Sequence, residues 1–126
     1  MIPGTDALAS LPPAHLVGAG GAVGAVCRYG VGEYVDVEGV PLSTFAVNVL
    51  GTFALGLVTF LGAGDSVVLF VGTGVCGAFT TFSSFSYETV RLYETGERAR
   101  AVAYASGTLL AAGLALALAW GVSILV

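Results

Sequence analysis

The sequence predicts an all-helical membrane protein, with four transmembrane helices in a single transmembrane domain over residues 1–126 and the third helix broken at mid-membrane. Three observations predict it. Of the 126 residues, 56% are hydrophobic and 10% charged, with a mean hydropathy of +0.94, whereas soluble chains carry roughly 25% charged residues. The chain divides into four apolar stretches, each near the roughly 20 residues that a bilayer core of about 30 Å requires. The third stretch holds a run of glycines and hydroxyl residues unlike an ordinary membrane helix. Four spans exhaust the length, so a separate soluble catalytic or nucleic-acid-binding domain is excluded. The formal net charge of −4, with no lysine and four arginines, also excludes the clustered cations that neutralise phosphate. Lipid is the expected surrounding, and nucleic acid is not a partner.

Residues 1–13 contain Pro3, Gly4, Pro12 and Pro13 without a helical apolar period, and read as an irregular lead-in. No Lys or Arg precedes Arg28, so a secretory signal with a charged start is not expected. The first span covers about residues 15–34 and is rich in small residues, with Gly20 and Gly24 forming a GxxxG pair. Such spacing lets two helix backbones approach closely in lipid, so this helix should face another helix. A polar connection with Glu33, Asp36, Glu38, Gly39 and Pro41 leads to the second span, about 42–62. Within it Thr44, Asn48, Thr52 and Gly56 recur every four residues, one narrow polar and small stripe on an apolar helix. Two readings stay open for Asn48: a bond to a neighbouring helix, or a place on a pore wall.

The third span, about 67–90, has three glycines in the six residues Gly72 to Gly77, then five hydroxyl residues in the seven from Thr80 to Ser86. Glycine weakens the helix, and hydroxyls satisfy the backbone groups that a break sets free. The break is expected near 77–81. Breaks at membrane depth persist where they are buried in protein or line a wet cavity, and there they hold ions: carbonyl ends suit a cation, amide ends an anion. Phe82 and Phe85 share a helix face. Beyond the reading as a packing stripe, a phenyl ring has a positive edge, and ring edges beside Ser and Thr hydroxyls bind a small anion without a fixed charge. Weak binding of that kind is what conduction requires.

The fourth span, about 101–126, is mostly Ala, Leu and Val, with Tyr104 and Thr108 on one face and Trp120 placed for the far interface. Tyr104 reads equally as an interfacial anchor. Only Arg28 and Glu88 lie within spans away from their extreme ends, and intramembrane charge marks a functional site by default. Arg28 reads as a vestibule charge or as a snorkelling helix end. Arg91, Arg98 and Arg100 make the loop between spans three and four cytoplasmic by the positive-inside rule, with both termini outside. Cys27 and Cys76 lie in apolar stretches without a CxxC pair and read as packing residues. The lack of lysine beside eight acidic residues has the bias of salt-adapted proteins.

Other functions fit less well. A small four-helix multidrug or cation exporter is the alternative, but proton coupling needs a carboxylate within the membrane, and none occurs from Ala7 to Gly32 in or before the first span. An enzyme is not expected: His15 is the one histidine, at a span edge, and the serines have no base beside them.

Four pieces together resemble the Fluc (CrcB) family of fluoride channels: Gly20 to Tyr29 in the first span, Asn48 with Gly51 in the second, Gly77 through Ser86 in the third, and Glu88 just after. The stretch Gly77-Ala78-Phe79-Thr80-Thr81-Phe82-Ser83-Ser84-Phe85-Ser86 is the most specific of them. The resemblance implies a passive fluoride-selective channel in the cell membrane, an antiparallel dimer with two pores, that lets fluoride leave the cell and so limits its toxicity. It further implies that Phe82 and Phe85 present ring edges to fluoride, Asn48 an amide donor, and Ser83 or Ser84 hydroxyls, with Arg28 in the vestibule. Tyr104 and Thr108 would continue a polar track on the fourth span, while Ala111 and Ala112 stand where that track often carries another hydroxyl. A structural, untransported Na+ at the dimer centre would rest on the main-chain carbonyls of Gly77 and Thr80. Thr81 and Glu88 complete the candidate residues. The arginine asymmetry suggests one fixed orientation, and hence an opposite-facing paralogue as partner in place of a homodimer.

Overall fold

The computed structural model describes residues 5–35 and 38–126. Its elements are α1 (Thr5–Ala9), α2 (Pro13–Val35), α3 (Leu42–Phe60), α4 (Asp65–Val67), a π-helical segment (Val68–Cys76), α5 (Gly77–Phe79), α6 (Phe82–Glu94) and α7 (Arg98–Leu125). The sequence reading of 1–13 as irregular is corrected at α1, a short helix that ends before Pro12; residues 1–4 and Asp36 of the first connection lie outside the described residues. Pro13 begins α2, where its missing N–H costs nothing and its fixed φ suits a first turn.

Among the described residues, three helices are long and apolar enough to cross a membrane: Leu42–Phe60, Asp65–Glu94 taken through its interruption, and Arg98–Leu125. At 23 residues α2 has the length, but its glycines, Arg28 and Glu33 dilute its apolar content. Helix ends follow the local chemistry. Gly62 and Gly96, at φ of 68° and 88°, end α3 and α6. Around each, two backbone bonds close the turn: Gly62 N–H to Thr59 O and Ala63 N–H to Val58 O, Gly96 N–H to Tyr93 O and Glu97 N–H to Leu92 O. Only glycine takes this left-handed position without strain.

Packing follows small residues. A Cβ on Gly20 would strike the Phe70 carbonyl and one on Gly24 the Val75 carbonyl, so α2 lies directly against the backbone of the π segment. Its GxxxG pair does face another helix. On α3, a Cβ at Gly56 would come within 2.8 Å of Ala119 Cβ, and one at Gly51 would run into the Thr80 methyl. Thus α3 is held between the π segment on one side and α7 on the other, while α6 packs on α7. The interruption after α5 is what carries the chain from the α2 side of α3 to the α7 side. The buried apolar core is small in residue size as well as number, with Val47, Cys76, Ala101, Ala115 and Ala119 among its members. Leu109, Leu110, Leu114 and Leu118 are left exposed on α7, as lipid-facing or partner-facing residues are.

Candidate functional site

The site is built around two residues that are not helical. Thr80 (φ −82°, ψ 160°) and Thr81 (φ −150°, ψ 117°) are extended between α5 and α6. In a continuous helix the Thr81 N–H would bond to the Gly77 carbonyl. Here it donates to Asn48 Oδ1 at 2.8 Å, and the Thr81 carbonyl accepts from Asn48 Nδ2 at 3.1 Å. The amide of Asn48 thus pairs with both main-chain groups of Thr81, as a neighbouring strand would. That satisfies the backbone a break exposes, which in lipid has no water to turn to. One N–H of the Asn48 amide remains uncommitted by this pairing, and Asn48 lines the adjacent cavity.

The side chain of Thr81 then starts α6. Its Oγ1 accepts from the Ser84 N–H at 3.2 Å, an N-cap bond. Ser83 Oγ and Ser84 Oγ lie 3.2 and 3.3 Å from the same oxygen. Thr80 closes the first half, with its N–H and its hydroxyl both donating to the Cys76 carbonyl, at 3.0 and 2.9 Å. The carbonyl of Thr80 receives a long 3.5 Å contact from Arg28 Nη1, and that of Gly77 has lost its helical donor.

Two cavities meet at Thr81. The larger, about 490 Å³, has α3 as its floor with Asn48, Thr52 and Leu55; Gly77, Thr80 and Thr81 line it beside Phe82 and Phe85, and Thr108 and Ala112 stand on α7. No charged side chain lines it. The smaller, about 390 Å³, holds Arg28, Thr44, Thr81, Ser84 and Glu88. The two fixed charges therefore sit on one side of Thr81 and the aromatic rings on the other. Phe82 and Phe85 have ring centroids 6.0 Å apart, and Phe85 lies 5.6 Å from the Tyr104 ring, both pairs tilted. Phe82 is 80% exposed in the single chain.

Glu88 does not pair with Arg28. Its Oε1 accepts from Thr44 at 3.1 Å and its Oε2 from Tyr104 OH at 2.9 Å, and the one ion pair among the described residues is Arg100–Glu97, at 2.6 Å. Tyr104 is turned toward Glu88 and Phe85. The hydroxyl of Thr108 lies over the larger cavity, its proton donated to the Tyr104 carbonyl at 2.7 Å. Ser84 lines the charged cavity and Ser83 lines neither, so neither serine stands beside Phe82 and Phe85 in the aromatic one. Thr44 and Thr52 were legible as part of a polar stripe; the partnership of Thr44 with Glu88 was not, because it joins positions far apart in the chain.

Residues 15–122 match the profile of a family described as CrcB-like protein, Camphor Resistance (CrcB). The chain belongs to the CrcB family. Members similar to it include the fluoride-specific ion channel FluC 2 of Haloarcula marismortui, 52% identical over 115 residues, or 91% of this chain and 97% of that protein. The fluoride-specific ion channel FluC 1 of Halobacterium salinarum is 50% identical over 86% of this chain and 92% of its own length. A fluoride-specific ion channel FluC of Thermus thermophilus is 46% identical over 81% of this chain and 85% of its own. The CrcB match includes every element of the two cavities.

Proposed function

We propose that the chain is a fluoride-selective ion channel that lets fluoride leave the cell passively and so lowers its toxicity in the cytoplasm. The observation that carries this reading is the larger cavity beside the interrupted helix. Its walls combine aromatic rings, hydroxyls and one amide, and contain no charged group. A small anion is stabilised there by ring edges and by N–H donation from Asn48. Nothing in the walls binds it so tightly that it cannot move on, the condition for conduction. Arg28, in the neighbouring cavity, raises the local concentration of anions at the mouth. Glu88, held by Thr44 and Tyr104, keeps the Tyr104 ring against Phe85. The step is diffusive, and the chain acts as a channel with no catalytic residue.

The finer parts of the reading concern assembly. The chain is taken as a multi-pass protein of the cell membrane, with α2 as a fourth span whose polar and small residues face protein and not lipid. An antiparallel dimer places two such cavities in one molecule. A structural sodium fits the donor set at the interruption: Gly77 offers a carbonyl without a helical donor and Thr80 one that meets only a long contact. Hard oxygen donors suit such a cation. Two carbonyls are too few from one chain, and a second copy related by symmetry would double them. When bound, the ion supplies fixed positive charge that holds the interrupted backbones together. The arginine bias favours an opposite-facing paralogue as the second subunit.

The test is fluoride efflux from liposomes carrying the purified protein, alone and with a co-expressed paralogue, with chloride as control. Fluoride-selective efflux that falls sharply in Phe82→Ile, which keeps bulk but removes the ring edge, is the expected result. Equal passage of chloride, or an unaltered rate in the variant, overturns the reading.

A further inference from the structure

Threonine hydroxyls in membrane helices usually turn back on their own backbone, and most do here. Thr52, Thr59, Thr80, Thr89, Thr95 and Thr108 each donate to the carbonyl four residues earlier, at 2.6 to 2.9 Å. Thr44 donates to Glu88 and Thr81 caps α6. Thr73 does neither. It lies in the π-helical segment Val68–Cys76, whose wider turn directs carbonyls to the fifth residue on and away from the position an α-helical threonine uses. Among the described residues its hydroxyl has no hydrogen-bond partner, and it stands exposed on the wall of the larger cavity.

The position along that cavity matters. A Cβ on Gly72 would touch Leu55 Cδ1 at 3.3 Å, while Gly56 faces Leu116 and Ala119. Leu55, Gly72 and Thr73 line the same cavity as Leu109 and Ala112 of α7. Past Thr108, α7 lines this cavity with Leu109 and Ala112, neither of which has a side chain that can donate a hydrogen bond. The cavity's other threonines, Thr52, Thr80, Thr81 and Thr108, have already committed their protons. Thr73 is the threonine of this cavity whose proton is still available, and α7 past Thr108 supplies none.

We propose that Thr73 is a further anion-binding residue of this channel, donating its hydroxyl proton to fluoride beyond Thr108 and replacing a donor that α7 lacks. The inference rests on the channel reading above and adds a residue from a different helix to the path. The hydroxyl can donate or accept, and the surrounding wall, with ring edges and no negative charge, selects an anion as the ligand.

The experiment compares fluoride efflux from liposomes for the wild-type channel, Thr73→Val and Thr73→Ser, each in the subunit combination that conducts, with rates normalised to assembled protein recovered by size exclusion. Valine keeps the shape and removes the hydroxyl, so fluoride efflux should fall about tenfold, the scale of losing one hydrogen bond to a charged partner. Serine keeps the hydroxyl and should hold the rate within about twofold of wild type. A valine variant at the wild-type rate overturns the proposal, and so does a serine variant as slow as valine, which would assign Thr73 a packing role. Wild-type protein that releases no fluoride in any combination overturns the channel reading itself, an outcome distinct from both.

Discussion

Asn48 shows why a single side chain can decide whether an interruption is stable. Its amide meets both the N–H and the carbonyl of Thr81, and Thr52 in turn donates to the Asn48 carbonyl at 2.6 Å. Replacing it by leucine would leave the N–H and carbonyl of the buried Thr81 without their protein partner. At about 1–2 kcal/mol for each stranded group, Asn48→Leu should destabilise the assembled protein by roughly 2–4 kcal/mol. Thermal unfolding in detergent, followed by loss of the monodisperse species, would measure it; an unchanged midpoint would mean that Thr81 finds other partners. The stripe Thr44, Asn48, Thr52 and Gly56 was legible from its four-residue spacing, and the choice between partner bond and pore wall was not. Both turn out to be compatible, since one amide N–H and the carbonyl oxygen serve Thr81 while the residue still lines a cavity. Glu88 carries the same lesson. The sequence places it on the same side as Arg28, an arrangement that permits an ion pair, but the geometry assigns its two oxygens to Thr44 and Tyr104, because those donors lie on the helices flanking α6.

At the scale of elements, glycine spacing in α2 was readable and the winding of its partner was not. Gly20 and Gly24 point to close helix contact by the chemistry of lipid packing alone. That the partner is π-helical from Val68 to Cys76 has no such signal, because the composition of an apolar helix is the same whichever carbonyl each N–H selects. The interruption at Thr80 and Thr81 lies within the segment 77–81 that glycines and hydroxyls mark, while the exact turning residues depend on Asn48 reaching across from α3. The contact between α2 and the π segment yields a paired prediction. Gly24→Ala puts a methyl into the Val75 carbonyl, whereas Gly18→Ala meets nothing within 4 Å. Overpacking of a rigid backbone contact costs roughly 1–3 kcal/mol or more, so Gly24→Ala should lower the yield of folded protein and Gly18→Ala should leave it unchanged. Equal yields would show that α2 can slide to relieve the contact.

For the whole molecule, charge decides what one chain can do by itself. Arg91, Arg98 and Arg100 all lie at or near the connection between α6 and α7, and Arg28 falls toward the same side, while no Lys or Arg occurs near the opposite ends. Of these, Arg98 is stacked over Tyr93 at 4.9 Å and Arg100 is paired with Glu97, both exposed in the first turn of α7, where they count toward orientation. A chain that always enters with this connection in the cytoplasm meets only parallel copies of itself. An antiparallel dimer then needs a second chain with the opposite bias. The expected outcome is that this chain expressed alone carries an externally accessible C-terminal tag and releases little fluoride when reconstituted, and that co-expression with an opposite-facing paralogue restores efflux. Removing the bias, by Arg91→Ser, Arg98→Ser and Arg100→Ser together, should make the tag accessible from both sides in different molecules and let the lone chain conduct. Fluoride-conducting homodimers from the unaltered lone chain would sink the heterodimer, since they would require dual insertion despite the arginines.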